Sequence, residues 1–174
     1  GSEPQDFREI NGTLFFTARN ASSGRELWKT DGSTNGTVIV KEIISGNVGG
    51  FETAGQFGYY DYTFNVVWQT GNTFYFTANG AALNPTGSYT NDIELWKSDG
   101  TDAGTVLVKD IYPGNTNGSD PQDFKSINGT LYFTAYNASS GRELWKTDGT
   151  TNGTVLVKEI IPGNVGGFET AGQF

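Results

Sequence analysis

An all-β chain of three similar four-stranded units is the architecture this sequence predicts, and three observations predict it. Ser2 to Phe57 returns almost letter for letter as Ser119 to Phe174, so one unit is present twice. The phrase Glu26-Leu27-Trp28-Lys29-Thr30-Asp31-Gly32 recurs as Glu143 to Gly149 and again as Glu94-Leu95-Trp96-Lys97-Ser98-Asp99-Gly100, which adds a third, divergent unit. Around each phrase lie short apolar runs punctuated by turn pairs, without a helical period. Units of roughly 40 to 60 residues with four strands each match the blades of a β-propeller.

The units divide the chain into 1–57 (first blade and a leader), 58–117 (divergent second blade) and 118–174 (third blade and a tail copying that leader). The blades proper are expected at about Pro4 to Ile44, Tyr62 to Tyr112 and Pro121 to Ile161. In the first, strands are expected at Asp6 to Ile10, Thr13 to Asn20, Arg25 to Thr30 and Thr37 to Ile43. Asn11-Gly12 and Asn128-Gly129 tolerate the positive φ angles of a type I′ turn, so each joins the first two strands of its blade as a hairpin. Ala21 to Gly24 and Asp31 to Gly36 supply the next two turns. Leu14 to Ala18 and Val38 to Val40 are apolar on both alternating faces, which predicts sheets stacked face to face. The second unit departs in its entry, Phe57 to Phe64, and in the longer loop Asn79 to Ile93. The repeat of Phe51 to Phe57 as Phe168 to Phe174 makes the chain end on a leader for a blade it does not contain.

Composition removes several kinds of chemistry. The chain has 174 residues, a formal net charge of -8 and no Cys, His or Met. An acidic chain with eleven Lys and Arg lacks the basic stripe that nucleic acid or an anionic membrane requires. Without Cys there is no disulfide or thiolate site, and without His the commonest general base is absent. No apolar run approaches the length of a membrane-spanning helix. Low Lys content with many Gly, Asn, Thr and Ser residues points to an extracellular or cell-surface setting.

The Glu-Leu-Trp-Lys-(Thr/Ser)-Asp-Gly phrase, followed by Gly36-Thr37, Gly104-Thr105 or Gly153-Thr154 and then by Val-(Ile/Leu)-Val-Lys-(Glu/Asp)-Ile, resembles the bacterial ELWxxDGT repeat family. Asn128 to Ala135 and Pro113-Gly114 fit the same pattern, and the match covers nearly the whole chain. The resemblance implies propeller-like repeats of large bacterial extracellular and surface proteins. It implies no catalytic motif, and the second blade departs from it by lacking the Pro-Gln-Asp-Phe entry.

Each candidate site has a structural reading beside it. Glu26, Glu94 and Glu143 are acids of the type general acid/base catalysis needs, but three equivalent copies are better explained as partners of backbone donors or of a neighbouring blade's cations. Asp31, Asp99 and Asp148 stand in Asp-Gly turns, where a carboxylate caps amides two residues on. No cofactor is expected; calcium at Asp99-Gly100-Thr101-Asp102 or in Asn115 to Asp120 is the minor alternative, because these are fragments of an oxygen-ligand set. Asn-X-Ser/Thr triplets at Asn11, Asn20, Asn35, Asn117, Asn128, Asn137 and Asn152 read as turn chemistry. The ligand-site candidates are Tyr59, Tyr60, Tyr62, Trp68, Asn84, Tyr89, Asn91 and Asp92, since aromatic faces stack on sugars and Asn and Asp orient hydroxyls. Their structural reading is interblade packing.

The expectation is therefore a non-catalytic scaffold, binding or adhesion module, with a lectin using the second blade's loops as the alternative and a glycosidase disfavoured for want of a carboxylate pair at defined separation. A propeller needs about four to eight blades. Three leave outer faces lined by residues such as Phe16, Leu27, Phe133 and Leu144, so self-association into a closed ring is expected. A six-bladed homodimer comes first, nine blades from three copies second, and a longer array is the alternative. A glycan or surface partner is the other expected contact.

Overall fold

The computed structural model describes residues 1–44, 49–55, 58–61, 63–80, 92–114 and 118–162. The first sheet comprises β1 (Gln5–Ile10), β2 (Thr13–Arg19), β3 (Arg25–Thr30) and β4 (Val38–Lys41). A two-stranded hairpin follows, β5 (Glu52–Gly55) with β6 (Gly58–Asp61). The second sheet holds β7 (Val66–Thr70), β8 (Thr73–Asn79), β9 (Ile93–Ser98) and β10 (Val106–Lys109). The third holds β11 (Gln122–Ile127), β12 (Thr130–Asn137), β13 (Gly141–Thr147) and β14 (Val155–Lys158). All three are antiparallel meanders, blade-like in form, and no helix of the described residues is long and apolar enough to cross a membrane.

Turn chemistry explains the hairpins. Asn11 and Gly12 take φ of 51° and 80°, and Asn128 and Gly129 take 49° and 77°, as a type I′ turn requires. In the second sheet Gly71 has φ 57° at the first turn position, which suits the type II′ alternative. The Pro-Gln-Asp-Phe entry builds a bulge. Asp6 and Asp123 have positive φ where the β1–β2 and β11–β12 registers shift, and each carboxylate accepts a hydrogen bond at 3.0 Å from Thr17 or Thr134. Asp6 also accepts the Phe64 amide at 3.2 Å, tying the first sheet to the second.

One expected strand end is corrected. The fourth strand stops at Lys41 instead of running to Ile43, because the Ile43 and Ile44 amides turn inward to donate to Glu26. Within the expected leader, residues 52–55 pair with 58–61, and the flanking Phe51 and Phe64 are fully buried between the first two sheets.

Cores lie between sheets. Ile10, Phe15, Leu27 and Val40 of the first sheet pack on Phe74, Phe76, Ala78 and Trp96 of the second, with Phe15 and Phe74 ring centroids 4.8 Å apart. Tyr75, Leu95, Val108 and Ile111 on the second sheet's other face pack on Leu131, Phe133, Ala135 and Trp145 of the third. Alternation along β8 thus buries Phe74 and Phe76 one way and Tyr75 the other. Leu27 and Phe133 point into these interfaces, so they do not line the outer faces as expected, whereas Phe16 and Leu144, the other two residues expected there, do stand on those faces.

Candidate functional site

The eight candidate ligand residues do not converge among the described residues. Tyr62, Asn84, Tyr89 and Asn91 lie outside the described residues, as do the side chains of Tyr59 and Tyr60, whose backbones belong to β6. Trp68 is partly buried, lies 4.6 Å from the Tyr75 ring between centroids and packs against the core between the second and third sheets. Asp92 sits beyond the opposite end of β8, where its carbonyl accepts the Gly80 amide at 2.6 Å. Five residues of extended chain separate the two along β8, roughly 16 Å.

The repeated glutamates close their sheets. Glu26 accepts backbone hydrogen bonds from Ile43 (2.9 Å), Ile44 (3.3 Å) and Gly50 (3.2 Å), and Glu94 accepts from Tyr112 (3.3 Å) and Ser119 (2.9 Å) and from the Ser119 hydroxyl (2.6 Å). Glu143 accepts the Ile160 and Ile161 amides at 3.2 and 3.5 Å. Each carboxylate fastens the strand that leaves its sheet, and those of Glu26 and Glu94 also fasten the segment that enters the next. Burial pushes the Glu26 carboxyl up to about 8, against the pull of its three amides and with a push from Glu42. Burial likewise raises Glu94.

The repeated aspartates are equally committed. Asp31, Asp99 and Asp148 each accept the amide and hydroxyl of the Ser or Thr two residues on, at 2.6 to 2.9 Å. These bonds hold all three carboxyls below the usual carboxylate range. That Ser or Thr hydroxyl accepts the amide of Gly36, Gly104 or Gly153, and a Cβ on any of these glycines would strike the aspartate carboxylate. The motif's spacing is thereby explained. Gly153→Ala should cost about 1 to 3 kcal/mol by forcing the turn open, readable as a lower urea midpoint; an unchanged midpoint would remove the steric explanation.

Lysine joins one turn to the next sheet. Lys29 Nζ donates to the Gly100 carbonyl at 2.7 Å and Lys97 Nζ to the Gly149 carbonyl at 2.8 Å. A polar notch of about 390 Å³ near Tyr75, Lys97, Asp99 and Asp148 therefore opens onto groups already engaged. Among the described residues no three His, Cys, Asp or Glu come together as a metal site.

Arg25 and Arg142 were not picked out by sequence reasoning. Buried Arg25 donates to the Glu3 carbonyl at 2.7 Å, and Arg142 donates to the Asp120 carbonyl and carboxylate at 2.9 and 2.6 Å while stacking over Tyr136. The available signal was the Arg before Glu-Leu-Trp in both near-identical units, with Ile93 in its place in the divergent one.

Asp92 is different in kind. It is 6% exposed, and its Oδ1 has no hydrogen-bond partner among the described residues. Burial, with Glu94 and Asp110 nearby, pushes its carboxyl up to about 7. Carboxyls raised in the folded state contribute stability below their ordinary values near 4 and lose it as pH rises through the folded values. Stability should therefore fall between pH 5 and pH 9 as Asp92 and then Glu26 ionise. Thermal unfolding across that range tests it, and Asp92→Asn should flatten the slope; a slope identical to the parent's would show that Asp92 does not titrate there.

The remaining candidate surfaces are the outer sheet faces. On the first sheet Phe7, Phe16, Ala18, Trp28 and Pro4 line a shallow apolar groove of about 580 Å³. On the third, Val157 is 43% exposed and Ile160 is 51% exposed, whereas Val108 and Ile111 at the same places in the second sheet are 2% and 5% exposed. The chain gives no match to protein-family models, to curated proteins or to solved structures.

Proposed function

We propose that this chain is a non-catalytic β-propeller module of the ELWxxDGT repeat type, serving a bacterial surface or secreted protein as a scaffold, binding or adhesion unit. The observation that carries this reading is the employment of the repeated acids: each Glu holds backbone amides at the end of its sheet and each Asp caps its turn. Groups engaged in this way are poor acids, bases or cation ligands, because their lone pairs already face fixed donors. What such a module offers a partner is surface. Further blades complete the ring, with a six-bladed pair of chains as the preferred closure.

Chromogenic glycosides should show no turnover, and turnover abolished by replacing one carboxylate would overturn the non-catalytic reading. A second reading, a carbohydrate-binding module, rests on Asp92, whose Oδ1 has no partner among the described residues and which stands at the end of the second unit's long loop in sequence. A glycan array decides between them: binding lost in Asp92→Asn supports the lectin, and an empty array supports the scaffold.

A further inference from the structure

The outer face of the first sheet and the outer face of the third are the two halves of an interface this chain already contains. Leu14, Phe16, Ala18 and Trp28 stand where Leu131, Phe133, Ala135 and Trp145 stand in the third sheet, identical residue by residue. In the third sheet those four pack on Tyr75, Leu95, Val108 and Ile111 of the second. The third sheet's own outer face carries Tyr132, Leu144, Val157 and Ile160 at the places of Tyr75, Leu95, Val108 and Ile111, all four identical. Phe7 stacks on Phe16 at 5.6 Å between centroids, as Phe124 stacks on Phe133 at 5.7 Å.

We propose that a second copy of this chain docks head to tail, its first sheet on the third sheet of its partner, and that two copies close by forming this contact twice. The proposal rests on the propeller reading above and names the partner that completes it. Polar groups specify the register as well as the faces. Lys29 and Lys97 each donate to the carbonyl of the next sheet's Asp-Gly turn, so Lys146, which is exposed, is placed to donate to Gly32 of the incoming copy. Lys109 Nζ donates to the Thr154 carbonyl at 2.8 Å, and the Thr151 hydroxyl donates back to the Val108 carbonyl at 2.9 Å. Their counterparts across the new contact are Lys158 with Thr37 and Thr34 with Val157. The Tyr75 hydroxyl sits over Gly149, leaving no room for a Cβ, and Gly32 keeps the same open space for Tyr132. Heterologous contacts of this kind close into rings when the rotation permits, which leaves neither apolar face in water.

Light scattering after size exclusion should give twice the chain mass at micromolar concentration. Val157→Asp and Phe7→Asp alter side chains that are 43% and 50% exposed in the single chain, so both variants should keep the parent's far-ultraviolet spectrum and run as monomers. Mixed in equal amounts they should form a heterodimer, because one unaltered head meets one unaltered tail. Lys146→Glu should raise the dissociation constant about tenfold or more, as loss of a charge-assisted hydrogen bond implies. A dimer that survives Val157→Asp would mean a head-to-head contact and overturn the proposal, and a mass of three chains would overturn closure at two. A parent that is monomeric with its β spectrum intact would also overturn it, while leaving the non-catalytic module reading to its own enzymatic and glycan tests.

Discussion

Replacing Trp145 by Ala should lower the unfolding free energy by about 3 to 5 kcal/mol, the range for truncating a large buried aromatic. Trp145 is 7% exposed and packs in the core where the third sheet meets the second. Its loss opens a cavity between two sheets whose own strands are held by ladder hydrogen bonds, so the backbone has little freedom to collapse into the gap. Its indole Nε1 has no hydrogen-bond partner among the described residues. Phe at this position would remove that orphan donor and keep most of the apolar area, so Trp145→Phe should cost far less than Trp145→Ala. Trp28, the same residue on the first sheet's outer face, is only partly buried, and its indole donates to the Ala18 carbonyl at 3.1 Å. Trp28→Ala should therefore destabilise an isolated chain less than Trp145→Ala. Urea unfolding of the three variants checks the order, and equal losses at Trp28 and Trp145 would mean that intersheet burial is not what stabilises the tryptophan position.

Glu94→Leu should cost about 2 to 4 kcal/mol. The substitution leaves the Tyr112 and Ser119 amides and the Ser119 hydroxyl without their acceptor in a buried place, at about 1 to 3 kcal/mol for each orphaned group. Removing a buried carboxyl offsets part of that loss, since burial already disfavours its charged form. The sign of the offset makes the effect depend on pH. At pH 5, where the raised carboxyl is more fully protonated and the parent is most stable, the deficit should be largest; toward pH 9 the parent weakens and the gap narrows. Denaturant unfolding at both pH values measures it, and Glu94→Gln, which keeps one acceptor oxygen, should fall between parent and Leu. A deficit that grew toward pH 9 would show that the carboxylate form stabilises this junction.

Much of the fold was legible because its determinants are local. Asn11-Gly12 announces a turn by the φ angles its residues tolerate, and Val38-Ile39-Val40 announces a strand by branching at Cβ. The Asp31 to Gly36 turn is equally local, every bond lying within a few residues. The candidate ligand set was less legible, because Trp68 and Asp92 seemed to belong together only through membership of the same divergent unit. Placing them at opposite ends of β8 required the strand register, which a sequence does not print.

By itself, the sequence determined that three four-stranded antiparallel units follow one another, since repetition and turn chemistry need no information from distant residues. Only the tertiary structure decided which alternate residues of each strand meet which neighbour. Both faces of Leu14 to Ala18 read as apolar, yet Phe15 enters the first interface while Phe16 remains on the outer side, and Leu27 turns inward with Phe15. The reason is physical: the side-chain period of a strand assigns residues to two faces, and only the position of the adjoining sheet determines which face is covered. The tertiary structure likewise decided which backbone donors Glu26 and Glu94 hold, because those amides belong to segments 17 to 25 residues away.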